Sequence, residues 1–158
     1  MFTILKEDGH ARIGILKIAH KEIETPFFMP VATKAVGHFV SAEEYSAAGA
    51  KAIIANAFFL SLKPGLETFE KMNGIHRFMH YDGIIFTDCG GFQMLRENLL
   101  LETTKNGILL KNPDGKDVFM RPEKLFDISK KIDSDVIMAL DCVLPYGRSR
   151  EEYEEALT

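Results

Sequence analysis

Residues Gly83–Leu95 read GIIFTDCGGFQML. Ile84, Ile85 and Phe86 form the short apolar run that a strand buried on both faces requires. Packing has no use for the residues after them: an aspartate, a thiol and two glycines, then Phe92 beside Gln93. Asp88, Cys89 and Gln93 cluster just past the strand's end, and that cluster points to a functional site.

Three other runs repeat the pattern. PFFMPVAT predicts a strand near 27–31, KAIIAN one over 51–56 closing on Asn56, and SDVIMALD one over 135–140 closing on Asp141. Helical stretches separate them. SAEEYSAAGA has Ser41 as N-cap, Glu44 to complete a capping box, and Gly49 at its end. LETFEKMNG stops at Asn73-Gly74. RPEKLFDISKKIDS places Pro122 in the first turn and Leu125, Ile128 and Ile132 on one face. Apolar strands alternating with helices predict a parallel sheet covered on both faces.

Doubly wound sheets and (β/α)8 barrels both meet that description. No GxGxxG follows the first strand, so the dinucleotide-binding form lacks its fingerprint. Asn56, Asp88 and Asp141 instead end strand after strand, at the rim where a barrel carries its active site. Ahead of this unit, ARIGILKIAHKEIETP alternates apolar and polar residues as antiparallel strands do. Asn106-Gly107 and Pro113-Asp114-Gly115 read as two hairpin turns. The expected fold is therefore α/β, with an N-terminal antiparallel sheet.

The 158 residues match one domain by length, and 46% apolar content suits a globular core. Charged residues make up 27%, with a net charge of −4, which does not advertise a nucleic-acid surface. The two cysteines, in TDCGG and LDCVLP, form neither a disulfide framework nor a CxxC motif. No histidine lies close to either Asp-Cys pair, so no metal site is assigned. No apolar run approaches the ~20 residues of a membrane span, and no signal peptide opens the chain. The expected location is cytoplasmic. SREEYEEALT opens a helix with a Ser149–Glu152 capping box and reaches Thr158 without Gly, Pro or a basic last turn. That predicts a fragment or a split subunit.

Two carboxylates on one rim, Asp88 and Asp141, can do general acid/base work or accept hydrogen bonds from a ring's N–H groups. Gly90-Gly91 lets the backbone approach a flat ligand and expose its amides. Phe92 can stack on a planar ring while Gln93 reads its edge.

TPFFMPVAT, NAFFLSLKPG, GIHRFMHYDGIIFTDCGGFQML, DGKDVFMRPEKLFDI and SDVIMALDCVLPY resemble, in order and spacing, the tRNA-guanine transglycosylase family. The resemblance covers nearly the whole chain after residue 10. It implies exchange of a guanine in tRNA for a 7-deazaguanine, in queuosine or archaeosine formation, on a (β/α)8 barrel. Residues 1–158 would then be the N-terminal portion of one catalytic barrel. The family's nucleophilic aspartate, its Cys/His zinc site and most of its tRNA-contacting basic residues would lie outside them.

Position by position, the resemblance gives Asp88 the part of the acid that assists base exchange, and Phe92 that of the ring sandwiching the purine. Gln93 reads the purine's edge, Asp141 accepts from its N–H face, and Asn56 holds Asp88 while the site is empty. Gly91 and Cys89 belong to the same loop, Cys89 standing where serine is usual. Val31 and Ile54 match apolar positions near the target ribose. Phe59 stands where many bacterial members have histidine. Val143 replaces a frequent cysteine, which implies a different tolerance for the base's 7-substituent. The implied partners are tRNA, the free base, the missing C-terminal half and, for the complete protein, a second copy; no cofactor is assigned to this chain. A non-catalytic accessory subunit that docks tRNA is the alternative, and the retained Asp88, Phe92, Gln93 and Asp141 argue against it. An unrelated barrel with a two-carboxylate site is a third reading, which the ordered motifs disfavour.

Overall fold

A computed structural model describes residues 1–104, 106–111, 115, 117–144 and 146–156. Strands β1 (Phe2–Asp8), β2 (Ala11–Ile18) and β3 (Lys21–Thr25) form an antiparallel sheet in that order. The alternation of Ile13, Ile15 and Ile18 anticipates β2 and β3. The partner strand β1 is an addition, with Phe2 lying opposite Leu16. Gly14 leaves the space that the Phe2 ring fills.

Next come α1 (Ala42–Ala47), β4 (Ala52–Asn56), α2 (Ala57–Leu60), α3 (Leu66–Met72), α4 (Ile75–Met79), β5 (Ile84–Asp88) and α5 (Gly91–Met94). The predicted capping box of α1 is present: Ser41 Oγ accepts from the Glu44 amide at 3.2 Å, and the Ser41 amide donates to Glu44 at 2.7 Å. Asn73, in the left-handed region, ends α3 as its sequence predicts. The helices α2, α4 and α5 are only four or five residues long, too short for a period to be read in advance.

Strands β6 (Leu100–Thr104), β7 (Gly107–Leu110) and β8 (Val118–Met120) make an antiparallel meander. The Asn106-Gly107 turn joins the first pair, whereas Pro113 and Asp114 of the second predicted turn fall outside the described residues. Helix α6 (Pro122–Ile132) follows, burying Leu125, Ile128 and Ile132 as its apolar stripe predicts. Then come β9 (Val136–Ile137) and α7 (Arg150–Glu155), the latter with the expected Ser149–Glu152 capping box.

The central sheet is parallel, in the order β4-β5-β9. Two predicted strands are shorter than expected. The segment near 27–31 makes only one parallel bridge, Val31 to Ile54, because Pro26 and Pro30 lack the N–H that a longer ladder needs. The run over 135–140 is a strand only at Val136–Ile137. Met138 N–H still reaches Thr87 O at 3.0 Å, but β5 ends at Asp88, and among the described residues no strand continues beside Ala139 and Leu140.

Ile53, Ala55 and Ile85 face a core built with Phe58, Leu60, Phe69, Ile75, Leu125 and Ile132. The other face is covered differently. Ile23 from β3 packs on Ala52 and Ile84, with Leu16, Phe27 and Met29 around them. Helices thus cover one face of the parallel sheet, and the antiparallel sheet covers the start of the other. Each fully buried Ile or Phe contributes roughly 1.5–3 kcal/mol by leaving water.

Candidate active site

The parallel register sets Asn56 opposite Asp88, each the last residue of its strand. Asn56 is buried and its side chain makes three hydrogen bonds. Its Oδ1 accepts the Phe59 amide at 2.9 Å, capping α2. Its Nδ2 donates to Asp88 Oδ2 at 3.1 Å and to Gln93 Oε1 at 3.3 Å. An amide has two N–H bonds, and both are engaged. The second oxygen of Asp88 accepts from the Gly90 amide. Asn56, Asp88 and Gln93 therefore form one connected network.

Cys89 and Asp141 form a second pair. The thiol donates to Asp141 Oδ1 at 3.1 Å, while Cys89 Sγ accepts the Gly91 amide at 3.3 Å. Burial pushes the Cys89 thiol above its ordinary pKa, the Gly91 amide offsets part of that, and the Asp141 carboxylate adds to it. Cys89 is accordingly a neutral donor and not an activated nucleophile.

The two glycines have separate reasons. Gly90 is left-handed at φ +79°, and a Cβ there would lie 2.8 Å from the Phe58 Cβ. A Cβ on Gly91 would collide with Asp141 Oδ1. Within the chain, the tightest neighbours of this pair are Phe58, Asn56 and Asp141.

A cleft of about 780 Å³ opens beside Asp141. Gly91, Asp141 and Val143 line it together with Thr103, Phe119 and Arg121 from the meander and the start of α6. Asn56, Asp88 and Gln93 stand outside its lining, as does Phe92, a residue 69% exposed. Phe59 is half-buried against the core, with the Arg96 guanidinium 5.7 Å from its ring centre. Phe119 and Arg121 lie in the DGKDVFMRPEKLFDI segment, but neither that segment nor the Asn-Gly turn tells in advance that they and Thr103 reach the cleft.

At the opposite end of the sheet lies a cluster that the sequence does not announce. Lys21 Nζ donates to both Asp135 oxygens at 3.1 Å and to Gly83 O at 2.9 Å. His76 Nε2 lies 2.9 Å from Asp135 Oδ2, and its Nδ1 is 2.8 Å from Tyr81 O, so Nδ1 carries a proton. The Ile85 amide also reaches Asp135, at 2.8 Å. Burial opposes the charge on Asp135, but the Ile85 amide, the Lys21 ammonium and His76 outweigh it and hold the carboxyl below its usual range.

Among the described residues, no group of three or more His, Cys, Asp or Glu side chains is placed to hold a metal ion. None of their helices is long and apolar enough to cross a membrane.

A family model described as queuine tRNA-ribosyltransferase matches residues 7–158. The chain is similar to proteins named queuine tRNA-ribosyltransferase from three bacteria. It is 40% identical to that of Nitrosomonas eutropha over 157 residues, covering 99% of this chain and 44% of the relative. It is 40% identical to that of Blochmanniella floridana over 152 residues, 96% of this chain and 40% of the relative. The Thermoanaerobacter pseudethanolicus protein gives 40% over 148 residues, 92% and 40%. The chain spans less than half the length of these curated relatives.

Proposed function

Because the chain belongs to the queuine tRNA-ribosyltransferase family, we propose that the protein carrying it exchanges a guanine in tRNA for a 7-deazaguanine of the queuosine pathway. Residues 1–158 supply the base-holding portion of one (β/α)8 barrel. The observation that carries this reading is the pair of hydrogen-bonded couples, Asn56–Asp88 and Cys89–Asp141, at one end of a parallel sheet.

The residue types suit the reaction. Displacing a purine from an anomeric carbon needs proton transfer to the leaving base and a clamp on its planar ring. Asp88 serves the proton, steadied by Asn56 until substrate arrives. Asp141 accepts from the base's N–H face, its Oδ1 oriented by the Cys89 thiol. Val143 bounds the space for the 7-substituent. Phe92 stacks on the ring, and Gln93 reads its edge once it leaves Asn56. On this reading a further part of the protein supplies the nucleophile, the zinc site and the remaining strands, and exchange needs that part. The complete protein works in the cytoplasm on tRNA, as a homodimer.

Incorporation of labelled guanine into tRNA tests this. In the complete protein, Asp88→Asn keeps size and hydrogen bonding but cannot move a proton, so exchange should fall ~10²-fold or more. Exchange at the parental rate would remove Asp88 from the chemistry. Exchange by residues 1–158 alone would show that no further part is needed.

A further inference from the structure

Arg121 occupies a position where an arginine works against the fold. It is the N-cap of α6, where Ser, Thr, Asp or Asn would bond the first free amides, and its side chain makes no capping bond. Its positive charge also sits at the positive end of an 11-residue helix. Among the described residues, no hydrogen bond or ion pair compensates. A residue that breaks a local rule without local gain is a candidate for function.

The Arg121 side chain lines the cleft that also holds Asp141 and Val143. Gly107 lies beside its stem: a Cβ there would collide first with Met120 O and would lie 3.0 Å from Arg121 Cγ. Glu123 lines the same cleft, but a carboxylate in the first turn suits the helix end, so the helix accounts for it. Arg121 has no such account. At about 780 Å³, the cleft is of a size that encloses a drug-sized ligand and exceeds what a bare purine fills.

We propose that Arg121 is an RNA-binding residue, holding a backbone phosphate of the tRNA beside the exchanged nucleotide. This rests on the tRNA reading above. A guanidinium presents a planar fork of donors matched to phosphate oxygens, and a phosphate contact adds affinity that is insensitive to base identity and weakened by salt.

The test compares Arg121→Ser and Arg121→Lys with the parent in the complete protein, measuring tRNA affinity across salt concentrations, affinity for free guanine, and the thermal midpoint. Arg121→Ser installs a good N-cap, so the midpoint should hold or rise. Its tRNA affinity should fall about tenfold, with the salt slope reduced by about one, and its guanine affinity should stay unchanged. Arg121→Lys should recover part of the tRNA affinity. Parental tRNA affinity and slope in Arg121→Ser would overturn the proposal while leaving the exchange reading intact. A parallel loss of guanine affinity would also overturn it, by making Arg121 part of the base pocket. A parent that binds guanine but no tRNA would sink both.

Discussion

Asn56 and Asp88 end adjacent parallel strands in register, and the Asn56 amide donates to the Asp88 carboxylate at 3.1 Å. One buried side chain thereby caps a helix, steadies an acid and occupies Gln93.

Replacing Asn56 by alanine should be costly for stability. It removes the cap on the Phe59 amide and strips Asp88 and Gln93 of a donor. Lost caps cost about 1 kcal/mol, and buried polar groups left unpaired cost about 1–3 kcal/mol each. Chemical denaturation should show a lowered midpoint; a parental value would mean that water replaces the amide without penalty.

Asp141→Asn puts a donor where the carboxylate accepts. With Cys89 already donating to that side chain at 3.1 Å, the new amide also disturbs the thiol. Affinity of the complete protein for the base should fall by about 2–5 kcal/mol, the range for breaking a charged contact that the bound base itself would bury. Titration calorimetry reads this directly, and an unchanged constant would place Asp141 outside the base contact.

Gly91→Ala tests the closeness of loop and acid. The added methyl cannot share space with Asp141 Oδ1, so one of them must move. Base affinity should drop with only a small change in thermal midpoint, since Asp141 is exposed and can swing away. Parental base affinity would show that the position of Asp141 is not set by this glycine.

The acid end of the stability profile should carry the signature of Asp135. Its folded-state carboxyl lies below its unfolded value, so its contribution is fully present above the unfolded pKa of about 4 and is lost as pH falls through the folded value. Thermal midpoints of the parent and of Asp135→Asn should differ at neutral pH and converge below about pH 4. A constant gap across that window would count against the ion pairs.

Much of this architecture is legible in the residues. Capping boxes at Ser41 and Ser149, the Asn73 stop and the apolar face of α6 follow from short-range rules, and local chemistry sets each. The buried strands β4 and β5 are read from continuous apolar runs. What fails does so for non-local reasons. SDVIMALD has the composition of a six-residue strand, yet pairing needs a neighbour, and β5 turns away after Asp88. The site divides in the same way. Asn56 and Asp88 are found because each ends a strand, and Asp141 because it closes an apolar run, whereas the meander wall with Thr103 and Arg121 reaches the cleft only through tertiary packing.

The clasp at the sheet's other end bears on how the chain comes together in time. Lys21 and Asp135 are 114 positions apart, and β9 adds only a two-residue ladder to β5. Closing so long a loop is entropically slow, so this contact forms after the local helices and the β1–β3 sheet. Interactions made late are absent from the transition state and act on the rate of escape from the native state. Asp135→Asn should therefore accelerate unfolding in a stopped-flow chevron while leaving the refolding limb in place, which makes the clasp a brake on opening.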